Sequence, residues 1–162
     1  NNPVLVVGKT FGHLEQSVFF EEIYSIKDGP PPEINLLNEK NNGNFILKLI
    51  KDNLLNSVHD ISSGGLIIAL SEMCISSNIG IKIEKPKKLN NLFEYFFGED
   101  QGRYLIEIEK NNLKKVEKMF KDDNIFHEIV GFTQKDNFEL SGELKISIKD
   151  LFNANNKWYY NY

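Results

Sequence analysis

From end to end this sequence alternates between short strand-like runs and longer segments whose apolar residues recur at helical spacing. Val4-Leu5-Val6-Val7-Gly8 is a continuous apolar run closed by glycine, the pattern of a buried strand. Further extended runs are read at 57–59, 80–84, 103–108 and 127–132, and a hairpin joins 138–140 to 143–146 across Ser141-Gly142. Helical spacing predicts helices over 16–26, 33–55, 66–76, 89–97 and 112–121, and a last one capped by Ser147 and running toward Trp158. A chain built this way must cover a sheet with helices. The predicted fold is therefore α+β, a layered α/β domain with a mixed rather than a purely parallel sheet.

Local chemistry sharpens several of these elements. Val18, Phe19, Ile23 and Ile26 mark the inner face of the first helix, which Gly29-Pro30-Pro31-Pro32 ends because proline supplies no amide donor and restricts its predecessor. In the second, Leu36, Leu37, Phe45, Leu49 and Ile50 form the apolar positions, and Asn42-Gly43-Asn44 is expected to weaken it. The segment 66–76 is apolar on nearly every side, which predicts burial between layers. The asparagine pairs 41–42, 90–91, 111–112 and 155–156 read as loops and helix ends.

With 162 residues, 41% of them hydrophobic and 12% aromatic, the chain can bury one core and is read as a single domain. A net charge of -4 without a basic stripe argues against a nucleic-acid partner. No apolar run reaches membrane-spanning length. The lone Cys74, within an apolar run, is read as a small core residue in a reducing cytoplasm. The start Asn1-Asn2-Pro3, with neither methionine nor a basic leader, suggests a domain excised from a longer protein.

Two segments carry chemistry. The chain holds eighteen lysines but one arginine, Arg103, in Phe97-Gly98-Glu99-Asp100-Gln101-Gly102-Arg103-Tyr104. Only arginine offers a planar fork of five donors, so a carboxylate or phosphate partner is expected, either a ligand or Glu99 or Asp100 themselves. The bracketing glycines favour close backbone approach, and Glu99, Asp100, Gln101 and Arg103 are the candidate contacts to a small polar substrate. In His59-Asp60-Ile61-Ser62-Ser63-Gly64-Gly65-Leu66, glycines stand at a helix entrance, where unpaired amides suit an anion. Asp60, Ser62, Gly64 and Gly65 are the candidates for phosphate or nucleotide, although Asp60 or Ser62 could equally be a helix cap. His13, His59 and His127 lack the spacing of a metal site, and no catalytic residue is assigned.

Taken in order, Gly12-His13-Leu14-Glu15-Gln16-Ser17, Gly29-Pro30-Pro31-Pro32 with Asn35-Leu36, Val58 through Leu66 with Ala69-Leu70-Ser71-Glu72-Met73, and Phe97 through Leu105 form a combined signature. On those blocks the chain resembles the C-terminal domain of the second half of the phosphoribosylformylglycinamidine synthase family, within the aminoimidazole ribonucleotide synthetase superfamily. The resemblance implies a synthetase C-terminal-domain-like fold. It also implies an activity of the full-length enzyme in purine biosynthesis, in which ATP activates the amide of formylglycinamide ribonucleotide and ammonia replaces the phosphate.

ATP and magnesium are implied on an N-terminal ATP-binding domain outside this sequence, so none is expected tightly bound here and the isolated piece is expected to be inactive. A separate glutaminase subunit would supply ammonia. Glu99-Asp100-Gln101 corresponds to a stretch that contacts the ribonucleotide in the first half of such enzymes. Asp100 departs from the usual serine, and Glu15 from the usual glycine. Separation from a neighbouring domain is expected to leave apolar surface exposed.

Overall fold

The computed structural model describes residues 1–86, 91–157 and 159. In chain order the elements are β1 (Pro3–Val7), α1 (Val18–Tyr24), α2 (Leu36–Lys51), β2 (Ser57–Ile61), α3 (Gly65–Ser77), β3 (Gly80–Ile83), α4 (Leu92–Phe97), β4 (Arg103–Glu107), α5 (Leu113–Asp122), β5 (His127–Gln134), β6 (Asn137–Leu140), β7 (Leu144–Ser147) and α6 (Ile148–Asn156), with a short 3₁₀ turn at Lys110–Asn112 before α5. The start of the helix expected at 89–97 and the Trp158 end of the last helix lie outside the described residues.

The seven strands form one sheet in the order β2-β4-β1-β5-β3-β6-β7. All neighbours are antiparallel except β3 and β6, which run parallel and make the sheet mixed, as expected. β1 sits near the middle and explains why its run is apolar throughout. Val4 and Val6 feed the core under α3 and α6, whereas Leu5 and Val7 feed the opposite core with Phe45, Leu49, Val116 and Phe120 of α2 and α5. Alternate side chains of one strand thus serve two cores.

α3 differs from its expectation. Leu66, Ala69, Leu70 and Cys74 are buried, but Ile68 is 40% exposed, so the helix lies on one face of the sheet instead of between two layers. Its excess apolarity leaves a side uncovered. α1 is also shorter than predicted, with Ser17 as N-cap and Ser25 left-handed at its end, and of its apolar positions only Phe19 is buried.

α2 runs from an Asn35 cap straight through Asn42-Gly43-Asn44, where sequence propensity predicts weakness. Tertiary contact overrides propensity here: Asn42 is buried and its Nδ2 donates to the Gly102 carbonyl at 2.9 Å. The helix ends before Leu55 because Asn53 turns left-handed, and the amides of Asn53 and Leu54 return to the carbonyls of Ile50 and Leu49. Asn91 caps α4, whereas the pair 41–42 lies inside a helix and not in a loop. Asn42→Ala is expected to destabilise by about 1–3 kcal/mol despite alanine's better helix propensity, because it removes the buried amide that the half-buried Gly102 carbonyl accepts from. Urea denaturation checks this, and a neutral or stabilising result would show that propensity governs the helix.

Cys74 is buried, and desolvation, with Glu107 adding to it, pushes its thiol up to about 12. Below about pH 8.5 both folded and unfolded thiols keep their proton. Above that the unfolded chain releases a proton that the folded chain retains, so this group lowers stability as pH rises. Labelling by a disulfide reagent at pH 8 is expected to be negligible in the native protein and complete in urea.

Candidate functional site

Pairing of β2 with β4 sets Asp60 opposite Tyr104 and Ile61 opposite Arg103, which brings the two chemistry-bearing segments side by side. The loop after β1 joins them. Glu99 Oε1 accepts from the Gly64 amide and from the Val18 amide at the start of α1, both at 2.8 Å, and the Glu99 amide donates to the His13 carbonyl. Asp100 accepts from three successive amides, those of Phe11 and Gly12 at Oδ2 (2.8 and 2.9 Å) and that of His13 at Oδ1 (3.2 Å). Three sequence-distant blocks therefore meet on two carboxylates.

Arg103 lies beneath them, 1% exposed. Its Nε donates to the Asp100 carbonyl (3.1 Å), Nη1 to Thr10 Oγ1 (3.1 Å) and Nη2 to the Gly98 carbonyl (2.6 Å), while Nη1 stands 3.8 Å from Asp100 Oδ2. The fork geometry is used as expected, but its hydrogen-bond partners are two backbone carbonyls and a hydroxyl. The carboxylate Asp100 is a looser ion-pair neighbour. Burial pushes the guanidinium below its usual value, opposed by Asp100, Tyr95 and Glu99. Such a site keeps its charge because each of the three guanidinium nitrogens has a hydrogen-bond partner and Asp100 stands close by.

Gly98 has the same inward purpose. A Cβ on Gly98 would meet the Glu94 carbonyl at 2.5 Å and the Gly12 Cα at 2.8 Å, so the close approach inferred from sequence is backbone against backbone. At the other segment, neither Asp60 nor Ser62 caps α3. The N-cap is Gly64, without a side-chain bond, and the Gly65 amide is taken by the Ser62 carbonyl. Asp60 and Ser62 are exposed, and Asp60 faces His59, whose Nδ1 is 3.7 Å from Oδ1.

Of the expected substrate contacts, Asp100 and Gln101 both line an open groove of about 790 Å³ with Gly8, Lys9, Phe11, Asn38 and His127, but Gln101 is exposed whereas Asp100 is buried. Sequence reasoning missed Thr10, Phe11 and Asn42, whose link to the site is made entirely by the fold. The one available signal was the glycine-bearing loop after β1. Apolar surface flanks the groove: Phe11 is 78% exposed, and Leu36 and Leu37 are 75% and 66% exposed.

Among the described residues no group of three or more His, Cys, Asp and Glu side chains could hold a metal ion. The Gly64 and Gly65 amides are already engaged, by Glu99 Oε1 and by the Ser62 carbonyl, so they are not open to a phosphate. No helix among the described residues is long and apolar enough to cross a membrane.

Comparison with known proteins is consistent along the chain. It is 48% identical over all 162 residues to the phosphoribosylformylglycinamidine synthase subunit PurL of Pelagibacter ubique, of which it covers 22%. It is 38% identical over 159 residues, 96% of the chain, to the subunit of the same name from Agrobacterium fabrum, of which it covers 20%. The chain thus spans about a fifth of the length of these curated relatives. Among solved structures, Thermotoga maritima PurL complexed with FGAR superposes over 93% of this chain and 27% of its own, with a TM-score of 0.76 at 16% identity. A HypE-HypF complex chain matches with a TM-score of 0.59 at 18% identity over 90% of this chain and 52% of its own, so the fold is shared more widely than any one reaction. The family model for the C-terminal domain of AIR synthase related proteins matches residues 2–142, and the chain belongs to that family.

Proposed function

We propose that this chain is the C-terminal domain of the second half of a phosphoribosylformylglycinamidine synthase. The complete enzyme would convert formylglycinamide ribonucleotide and glutamine-derived ammonia to formylglycinamidine ribonucleotide at the expense of ATP, in the cytoplasm. The observation that carries this reading is the 48% identity with the Pelagibacter subunit along the whole chain. The Thermotoga protein of this fold is described in complexes with FGAR and with ATP and in a PurLQS structure, which supports a ribonucleotide ligand, a nucleotide and partner subunits.

Within that enzyme the domain is a wall and not an engine. ATP and magnesium belong on the N-terminal domain of the same protein, and the exposed Phe11, Leu36 and Leu37 are the surface that such a neighbour would cover. Glu99, Asp100 and Arg103 brace the loop after β1, and Gln101, exposed on the groove that the buried Asp100 also lines, is the member of that segment turned outward to meet a ribonucleotide. Ser62, exposed beside α3, is the residue of the second segment able to donate to a phosphate, whereas Asp60 stands beside His59 and Gly64 and Gly65 shape the turn.

The full-length protein supplied with ammonium is expected to form product in an ATP-dependent manner. The 162-residue chain alone is expected to show no heat with ATP by calorimetry. Absence of turnover in the full-length protein would overturn the activity, and tight ATP binding by the isolated chain would overturn the division of labour.

A further inference from the structure

The loop segment Thr10–His13 is built like a receptor for a small anion. Gly12 is left-handed (φ 82°), so the successive amides of Phe11, Gly12 and His13 point to one side, the arrangement by which backbone turns hold phosphates and carboxylates. Behind the concavity lies the buried Arg103 guanidinium, with Nη1 on Thr10 Oγ1 and 3.8 Å from the bound oxygen. The oxygens filling it belong to Asp100, 5% exposed.

We propose that this is an oxyanion site whose resident anion is the chain's own Asp100 carboxylate, so that the Glu-Asp-Gln-Gly-Arg segment plugs an anion pocket that it would otherwise open to ligand. The ligand class is a small oxyanion, a carboxylate or a phosphate. A tethered carboxylate holds the pocket at an effective concentration that a dilute free anion cannot match. Its charge also repels a phosphate approaching along the same path. Removing the side chain while keeping the amides and the guanidinium converts an internal contact into a binding site. The inference stands independently of the reaction that the full-length protein catalyses.

The test compares wild type, Asp100→Ala and Asp100→Asn in the 162-residue chain by amide hydrogen exchange at Phe11, Gly12 and His13 and by thermal midpoint. Formate or inorganic phosphate is titrated with ionic strength held constant by chloride. Asp100→Ala is expected to speed exchange at the three amides by roughly tenfold or more, as loss of bonds to a charged acceptor requires, and to regain protection saturably with formate or phosphate. Whichever of the two acts at the lower concentration identifies the oxyanion preferred. Wild type is expected to respond to neither.

In Asp100→Asn the side chain still fills the space, so protection is expected to fall without being restored by anions. Should the alanine variant be unfolded in chloride alone, refolding driven by either oxyanion is the expected result. Full protection at these amides in both variants, or loss in the alanine variant that neither anion reverses, would overturn the proposal.

Discussion

Arg103→Ala is expected to cost about 3–5 kcal/mol, the range found when one member of a buried charged network is removed. The loss is large because two backbone carbonyls and the Thr10 hydroxyl lose their donor together, and Asp100 loses its neighbouring positive charge. Measured against a typical domain stability of about 5–15 kcal/mol, this threatens folding itself. Arg103→Lys is expected to recover less than half, because a single ammonium cannot reach three acceptors lying in different directions of one plane. Urea midpoints of the three proteins decide the matter. An alanine variant within about 1 kcal/mol of wild type would remove Arg103 from any structural role and return it to the ligand contacts expected from sequence.

Gly65→Ala is the second large effect. Gly65 has a φ of 70°, and a Cβ there would lie 2.7 Å from both the Gly98 carbonyl oxygen and the Phe97 carbonyl carbon. The left-handed backbone costs roughly 1–2 kcal/mol for alanine. Overpacking against backbone that cannot rotate away adds about 1–3 kcal/mol. Together these are expected to lower the thermal midpoint by on the order of 10 °C for a chain of this size. Gly142→Ala is the control, since Gly142 has a φ of 79° but nothing within 4 Å of the added carbon. It is expected to show the backbone cost alone. Equal shifts in the two variants would mean that the contact between α3 and the end of α4 carries no steric constraint.

These two sites also separate what could be read from the residues from what could not. β1 was legible because a strand buried on both faces must be apolar at every position. The hairpin across Ser141-Gly142 and the Ser147 cap were legible because turn and cap chemistry is local. α2 was misjudged at Asn42-Gly43-Asn44, where a hydrogen bond to Gly102, sixty residues away, outweighs local propensity. Leu36 and Leu37 fit a helical pattern yet lie exposed, because periodicity reports which residues are apolar and not what covers them.

By itself the sequence determined the alternation of elements, the mixed layered architecture and, through its combined blocks, the family. The direction in which the chemistry-bearing side chains face was decided by tertiary structure alone. Carboxylates, a guanidinium and glycines in one short segment suit a ligand and a loop equally well, because both present amides and carbonyls of the same chemistry. Only the packing of the loop after β1 against β4 and the segment before it supplied those groups from within, turning the Asp100 and Arg103 side chains toward the protein and leaving Gln101 exposed at the groove.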